Sequence, residues 1–172
     1  MDYEIRRMKE TEYALLRDFL YEAIFIPKGV DPPPRSVVDR PELQVYISDF
    51  GRGEADICLL AVAEGRPLGA AWSRIMDDYG HLADGVPSLA IALYREYRGQ
   101  GIGSKLLTAL LDELRRAGWD RVSLSVQKAN YAVKLYRRLG FETMAETDEE
   151  YLMLKHLGLE NSSTESRSDG QT

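Results

Sequence analysis

Apolar positions recur along the chain with two periods, and the switches between them mark out the elements. Residues 3–8 alternate as a short strand. Thr11 suits the cap of a helix whose apolar residues Leu16, Phe19, Leu20, Ala23 and Ile24 fall at helical spacing. Five prolines lie in residues 27–41, three of them consecutive at 32–34, so this stretch cannot continue a helix and reads as a surface loop. Pro41 fits the first position of a second helix carrying Leu43, Tyr46, Ile47 and Phe50. Residues 57–63 and 68–75 flank the turn Glu64-Gly65-Arg66-Pro67 and predict an antiparallel hairpin. A polar loop spans residues 77–84, and the apolar run 88–93 predicts a strand covered on both faces. Ile102, Leu106, Leu107, Leu110, Leu111 and Leu114 line one face of a long helix that Gly118 can end. Residues 121–126 alternate as a strand. Ala132, Leu135, Tyr136 and Leu139 mark a fourth helix stopped at Gly140, and a last strand covers residues 151–154.

With 172 residues the chain fits one domain, expected over residues 1–158. Residues 161–172 hold no aliphatic or aromatic side chain to offset their ordering entropy, which predicts a mobile polar tail from residue 159 onward. A formal net charge of -6 argues against a nucleic-acid binder. No apolar run reaches membrane-spanning length, and Met1-Asp2-Tyr3-Glu4 lacks the features of a secretory leader, so a cytoplasmic protein without a membrane anchor is expected. Cys58 is the only cysteine, which excludes a disulfide framework and a thiolate metal site, and no metal is expected. Nothing in the pattern decides the oligomeric state, and a homodimer is left open.

The charge is unevenly placed. Residues 94–138 carry ten Lys or Arg against four acids, while the remainder carries twelve against twenty-four. A basic segment in an acidic protein suits a small polyanionic ligand, although solvated helix faces produce the same count. Within that segment, between the 88–93 strand and the long helix, lies Arg98-Gly99-Gln100-Gly101-Ile102-Gly103-Ser104. Such a turn lets the free amides of the first helical turn converge where the helix dipole favours an anion, a cradle for phosphate. Close packing of strand on helix is the competing reason for the glycines. The dinucleotide pattern would need glycine in place of Ser104, and a P-loop would need lysine directly after Gly103.

The pattern Arg98-x-x-Gly101-x-Gly103, after an apolar strand and opening an amphipathic helix, resembles the acetyl-CoA signature of the GCN5-related N-acetyltransferases. Residues 126–142, with Asn130, Ala132, Leu135, Tyr136, Gly140 and Phe141, are similar to that family's second signature, N-x-A-x-x-L-Y-x-x-x-G-F. The likeness spans roughly residues 5–154 and includes the order of elements. Residues 69–72 with 89–93 resemble a bacterial subgroup whose acceptor is undefined. The resemblance implies an α/β (α+β) fold: a mixed sheet of six or seven strands, splayed in the middle and flanked by four helices.

It also implies a set of roles. Backbone groups of Arg98, Gly99, Gln100, Gly101, Ile102, Gly103 and Ser104 would hold the pyrophosphate of acetyl-CoA, the co-substrate. Main-chain groups of Ile91 and Leu93 would line the pantetheine arm, and Asn130 would touch the same molecule. Tyr136 matches the tyrosine beside the sulfur, where a phenol of pKa about 10 can donate to a thiolate of pKa about 8.5. Two departures stand out. Many members carry proline where Arg95 stands, and several use a glutamate on the central strand as base, whereas residues 88–93 contain no acid. The base is therefore left to another element, to a chain of waters, or to an amine that arrives neutral.

His81 in the polar loop is one candidate for that base or an ordinary solvated side chain, and Asp77, Asp78 and Asp84 either attract a cationic amine or simply face solvent. Glu22 and Asp31 flank the proline-rich segment that would border the acceptor cleft, although Glu22 on a helix reads first as a merely exposed residue. Cys58, Trp72 and Trp119 read as packing residues. The function expected is transfer of acetyl from acetyl-CoA to a primary amine of a small-molecule acceptor by direct attack. Two alternatives remain open: a non-catalytic acyl-CoA-binding sensor, and an acetyltransferase acting on protein N-termini or lysines. A capped pocket at residues 32–34 would favour a metabolite and an open groove a peptide.

Overall fold

A computed structural model describes residues 1–76 and 85–158. The strands are β1 (Glu4–Arg7), β2 (Ile57–Ala63), β3 (Arg66–Arg74), β4 (Ser88–Leu93), β5 (Arg121–Gln127), β6 (Glu142–Glu146) and β7 (Glu150–His156). The α-helices are α1 (Leu16–Ala23), α2 (Pro41–Gln44), α3 (Ile102–Arg116) and α4 (Ala132–Arg138). One sheet contains all seven strands in the order β1-β2-β3-β4-β5-β7-β6. Each pairing is antiparallel except β4 with β5. This is the mixed seven-stranded sheet with four helices that the resemblance implies. Residues 77–84, with Asp77, Asp78, His81 and Asp84, and residues 159–172 lie outside the described residues.

Alternation along β2 divides the core in two. Ile57, Leu59 and Ala61 join Leu106, Leu107, Leu110 and Leu114 of α3 on one face. Cys58, Leu60 and Val62 join Leu16, Phe19 and Leu20 of α1 on the other. The sheet is thus the middle of three layers, which is why β2 and β3 read as nearly continuous apolar runs. Six aliphatic side chains of α3 are buried, from Ile102 to Leu114, each contributing roughly 1.5–3 kcal/mol relative to exposure. That helix anchors the turn preceding it.

The observed elements depart from the expected ones in the N-terminal third and at β6. Thr11 does not cap: the chain starts winding at Glu10 in a 3-10 turn, and the Lys9 amide donates to the Glu12 carboxylate at 2.8 Å. Arg6 holds that carboxylate in place with two bonds of 2.7 and 2.9 Å, which moves the cap away from Thr11. The second helix stops at Gln44, because tight bonds such as Ile47 N–H to Gln44 O lead it into turns. The end of the proline loop winds into a 3-10 turn, Arg35–Asp39, with Val38 buried. Almost every residue of β6 is exposed, so no alternation betrays this edge strand in the sequence.

Candidate active site

The parallel pair at the centre of the sheet is joined at one place. Ser88 faces Ser123 in register, the Ser123 amide donates to Pro87 O at 2.9 Å, and the two hydroxyls lie 3.2 Å apart. Beyond that bridge β4 and β5 share no further register pair, and a gap opens between them. On the other edge of β4 the Tyr94 amide donates to Leu68 O at 3.0 Å. Strand alternation therefore turns the main chain of Ala90 and Ala92 toward β3 and that of Ile91 and Leu93 toward the gap. The two positions expected to line the pantetheine arm share this edge.

The glycine turn stands at the mouth of the gap. Gly99 and Gly101 have φ of 73° and 82°, a conformation that side chains strain to adopt. A Cβ at either would meet no atom within 4 Å, so close packing does not explain them. At Gly103 a Cβ would lie 3.5 Å from Leu93 and 3.7 Å from Ile91, ordinary contacts that seat the start of α3 on β4. Gly101 is the N-cap of α3, leaving the amides of Gly101, Ile102, Gly103 and Ser104 without intrahelical partners. The first helical bond back is Lys105 N–H to Gly101 O, 3.3 Å. Four converging donors beside open space at the positive end of a 15-residue helix suit a diphosphate. Ile102 is buried as the anchor, and the Gln100 side chain folds back onto Glu96 O at 3.0 Å.

Arg98 behaves differently from its neighbours in the turn. Its Nε donates to Leu93 O at 3.0 Å, and its Nη2 donates to Glu22 O at 3.2 Å and to the Glu22 carboxylate at 3.1 Å. Glu22 is thus a partner of the glycine turn, and spacing along the chain does not disclose it, since 76 residues separate the pair.

Asn130 closes the turn after β5: its amide donates to Gln127 O and its side-chain oxygen accepts from the Ala132 amide, both at 2.9 Å. Its side chain thereby ties down the first amide of α4, and the NH2 of its carboxamide remains to contact a ligand. Tyr136 on α4 is 7% exposed, with its ring edge-on to Phe141 at 5.8 Å between centroids. Its hydroxyl has no hydrogen-bond partner among the described residues. Burial pushes the phenol well above its ordinary pKa, so it stays protonated through neutral pH. By contrast Cys58 is an inert core thiol, likewise pushed up by burial.

A cleft of about 480 Å³ lies at the end of β5, lined by Gln127, Lys128, Ala129, Asp148, Glu149 and Pro27. Its walls come from the β5–α4 turn, the β6–β7 turn and the segment after α1. Pro27, Ala129, Asp148 and Glu149 are exposed, so the cleft is open. The loop at 32–34 is tied down beside α1, with the Tyr21 hydroxyl donating to Pro33 O at 2.6 Å. Asp148 and Glu149 belong to a turn without motif, and nothing in the sequence singled them out.

Comparison with known proteins agrees with this geometry. The model of the acetyltransferase (GNAT) family matches residues 19–141. A mycothiol acetyltransferase from Saccharomonospora viridis is 36% identical over 93 residues, which cover 52% of this chain and 30% of the relative. The N-alpha-acetyltransferase MAK3 from Arabidopsis thaliana is 31% identical over 86 residues, covering 49% of this chain and 44% of the relative. The matched segments thus span under half the length of either relative. A putative acetyltransferase from Salmonella typhimurium, solved with its cofactor acetyl-CoA, superposes with a TM-score of 0.64 at 19% identity over 92% of this chain and 95% of that one.

Proposed function

The chain belongs to the acetyltransferase (GNAT) family, and from that premise we propose that it moves the acetyl group of acetyl-CoA to a primary amine of a small acceptor. The observation that carries this reading is the gap between β4 and β5, pinned at Ser88 and Ser123 and opening beside the N-terminus of α3. The amides of residues 101–104 suit the diphosphate, and the main-chain groups of Ile91 and the amide of Leu93 face the pantetheine arm along one edge, the Leu93 carbonyl being held by Arg98. The NH2 of Asn130 supplies a further donor at the end of β5.

Acetyl-CoA supplies the acyl group as a thioester, so the protein has to orient the carbonyl, admit the amine and help the sulfur leave. Tyr136 fits the last task. Its phenol is protonated and unpartnered, and a hydrogen bond from it stabilises thiolate charge as the carbon–sulfur bond breaks. The amine reaches the reacting carbon through the cleft at the end of β5. Its volume lies within the range of small-molecule sites. No acid stands on β4, so the proton of the attacking amine goes to a base on another element or through water to the medium, unless the amine arrives neutral.

A second reading, acetylation of a protein N-terminus, draws on the exposed cleft walls, which leave room for a chain to continue outward. Incubating the purified protein with acetyl-CoA and measuring free thiol release over a panel of small amines and short peptides separates the two. Release with small amines supports the first reading and release with peptides alone supports the second. Coenzyme A binding without turnover on any amine reduces the protein to an acyl-CoA-binding module.

A further inference from the structure

Three separate elements meet at the Arg98 guanidinium: the last turn of α1 through Glu22, the end of β4 through Leu93 O, and the glycine turn to which Arg98 itself belongs. None of the three contacts is incidental to the backbone. Leu93 O faces the gap where β5 has left, so it has no strand to bond to. Glu22 O is among the last four carbonyls of α1, which lack helical partners and favour a cation. One side chain satisfies both. The Glu22 carboxylate then fixes the guanidinium in that position. It is the better shielded of the two, 20% exposed against 36% for Arg98.

Building on the cofactor reading above, we propose that Glu22 is a positioning residue for the glycine turn. By holding Arg98 against Leu93 O, it sets the height of residues 99–104 over the end of β4 before any ligand arrives. Glu22 belongs to the layer opposite α3, so the tie also couples the cofactor turn to the helix that leads into the Pro27 wall of the cleft.

Electrostatics alone predicts the opposite behaviour. Removing a carboxylate near a diphosphate site lowers repulsion and would tighten binding. A positioning role makes the same change weaken it. Calorimetric titration with coenzyme A, at a temperature where thermal melts show each protein folded, reads the sign directly. Glu22→Ala is expected to bind about three- to tenfold more weakly than wild type, and Glu22→Gln about two- to threefold more weakly, because the amide keeps an oxygen but loses the charge. In an Arg98→Ala background, Glu22→Ala is expected to change affinity by less than about twofold. Equal or tighter binding by folded Glu22→Ala overturns the proposal, as does an equal loss in both backgrounds, since the effect would not then run through Arg98. Should Glu22→Ala not fold, Glu22→Gln decides by the same sign. A wild-type protein that fails to bind coenzyme A overturns the cofactor reading itself, a result distinct from loss of the Glu22 effect alone.

Discussion

The helices of residues 88–140 and the segment 24–56 pack on opposite faces of the same sheet, and the two regions are held in shape by different means. From β4 through α3 and β5 to α4, each element carries its own signal: apolar runs of the right period, a turn with two left-handed glycines, and an asparagine whose side chain takes the first amide of the following helix. Between α1 and β2 the elements are short, and other parts of the chain hold them. Trp72 Nε1 donates to Tyr46 O, Ser73 Oγ to Ala55 O, and Arg74 Nη1 to the carbonyls of Val45 and Ser48. The side that carries the glycine turn is therefore specified locally, and the segment opposite borrows its shape from β3.

The largest effect should come from cutting the strongest of those borrowed ties. Asp56 is 2% exposed at its side chain, receives the amides of Gly51 and Gly53, and pairs with Arg74 at 3.2 Å. Arg74 is 12% exposed and lies over the Phe50 ring. Asp56→Ala leaves the guanidinium without its counter-ion and two amides without an acceptor, at a cost of about 3–5 kcal/mol in urea unfolding. Coenzyme A affinity, measured where the variant is folded, should stay within about twofold. A loss below about 1 kcal/mol would mean that residues 45–56 hold themselves in place, and the contrast between the two sides would fail.

On the cofactor side the corresponding break is chemical. Tyr136→Phe removes one oxygen and leaves the ring against Phe141, so the fold should be nearly unaffected. A positioned acid contributes about 10²–10⁴-fold, less for a leaving group as acidic as a thiol, so kcat should fall roughly 10- to 100-fold with coenzyme A affinity unchanged. Because burial holds the phenol protonated, the wild-type rate should climb with pH toward the pKa of the amine without a descending limb from Tyr136 near neutrality. A variant with full kcat would remove the hydroxyl from the mechanism.

The same contrast explains what the sequence disclosed. Period and punctuation located α3 and β5 to within a residue or two, and the glycine turn was legible because a left-handed backbone and an open front demand that residue type. The second helix was overestimated because Tyr46, Ile47 and Phe50 do pack inward, but on turns held by Trp72 and Arg74. By its spacing Glu22 is an exposed helix residue or a neighbour of the acceptor site. What binds it is a guanidinium distant in sequence, and single-chain periodicity carries no information about such pairs. Asp148 and Glu149 carry no sequence signal for a like reason, since a cleft wall made from three segments has no local pattern.

A smaller effect is expected where ligand and backbone meet. Gly101→Asp puts a side chain and a negative charge into the open space before the α3 amides, in a conformation with φ of 82°. Coenzyme A affinity should drop at least several-fold, read by calorimetry, while unfolding shifts by about 1 kcal/mol for the strained backbone. Gly101→Ala separates the two causes: it carries the strain without the charge and should keep more of the affinity. Unchanged binding in folded Gly101→Asp would detach the turn from the diphosphate.

The smallest effect tests whether the junction between β1 and α1 follows local rules, as the cofactor side does. Arg6 and Glu12 are six residues apart, joined by two hydrogen bonds, and the Lys9 amide adds a third to the same carboxylate. The Arg6 bond, then the Lys9 amide, holds the Glu12 carboxyl down at about 2 against the cost of its burial. A folded pKa below the unfolded value near 4.3 means that the pair stabilises the fold fully above about pH 5 and loses that contribution as pH falls through 2. Both side chains are about a quarter exposed, 28% for Arg6 and 23% for Glu12, so solvent screening reduces the gain to about 1 kcal/mol at pH 7. Glu12→Gln should therefore be less stable than wild type by about that amount at pH 7 in urea unfolding, with the difference narrowing toward zero by pH 2. A difference that stays constant over this range would assign the loss to packing or to the amide contact, and the Arg6–Glu12 charge pair would have no part in setting where α1 begins.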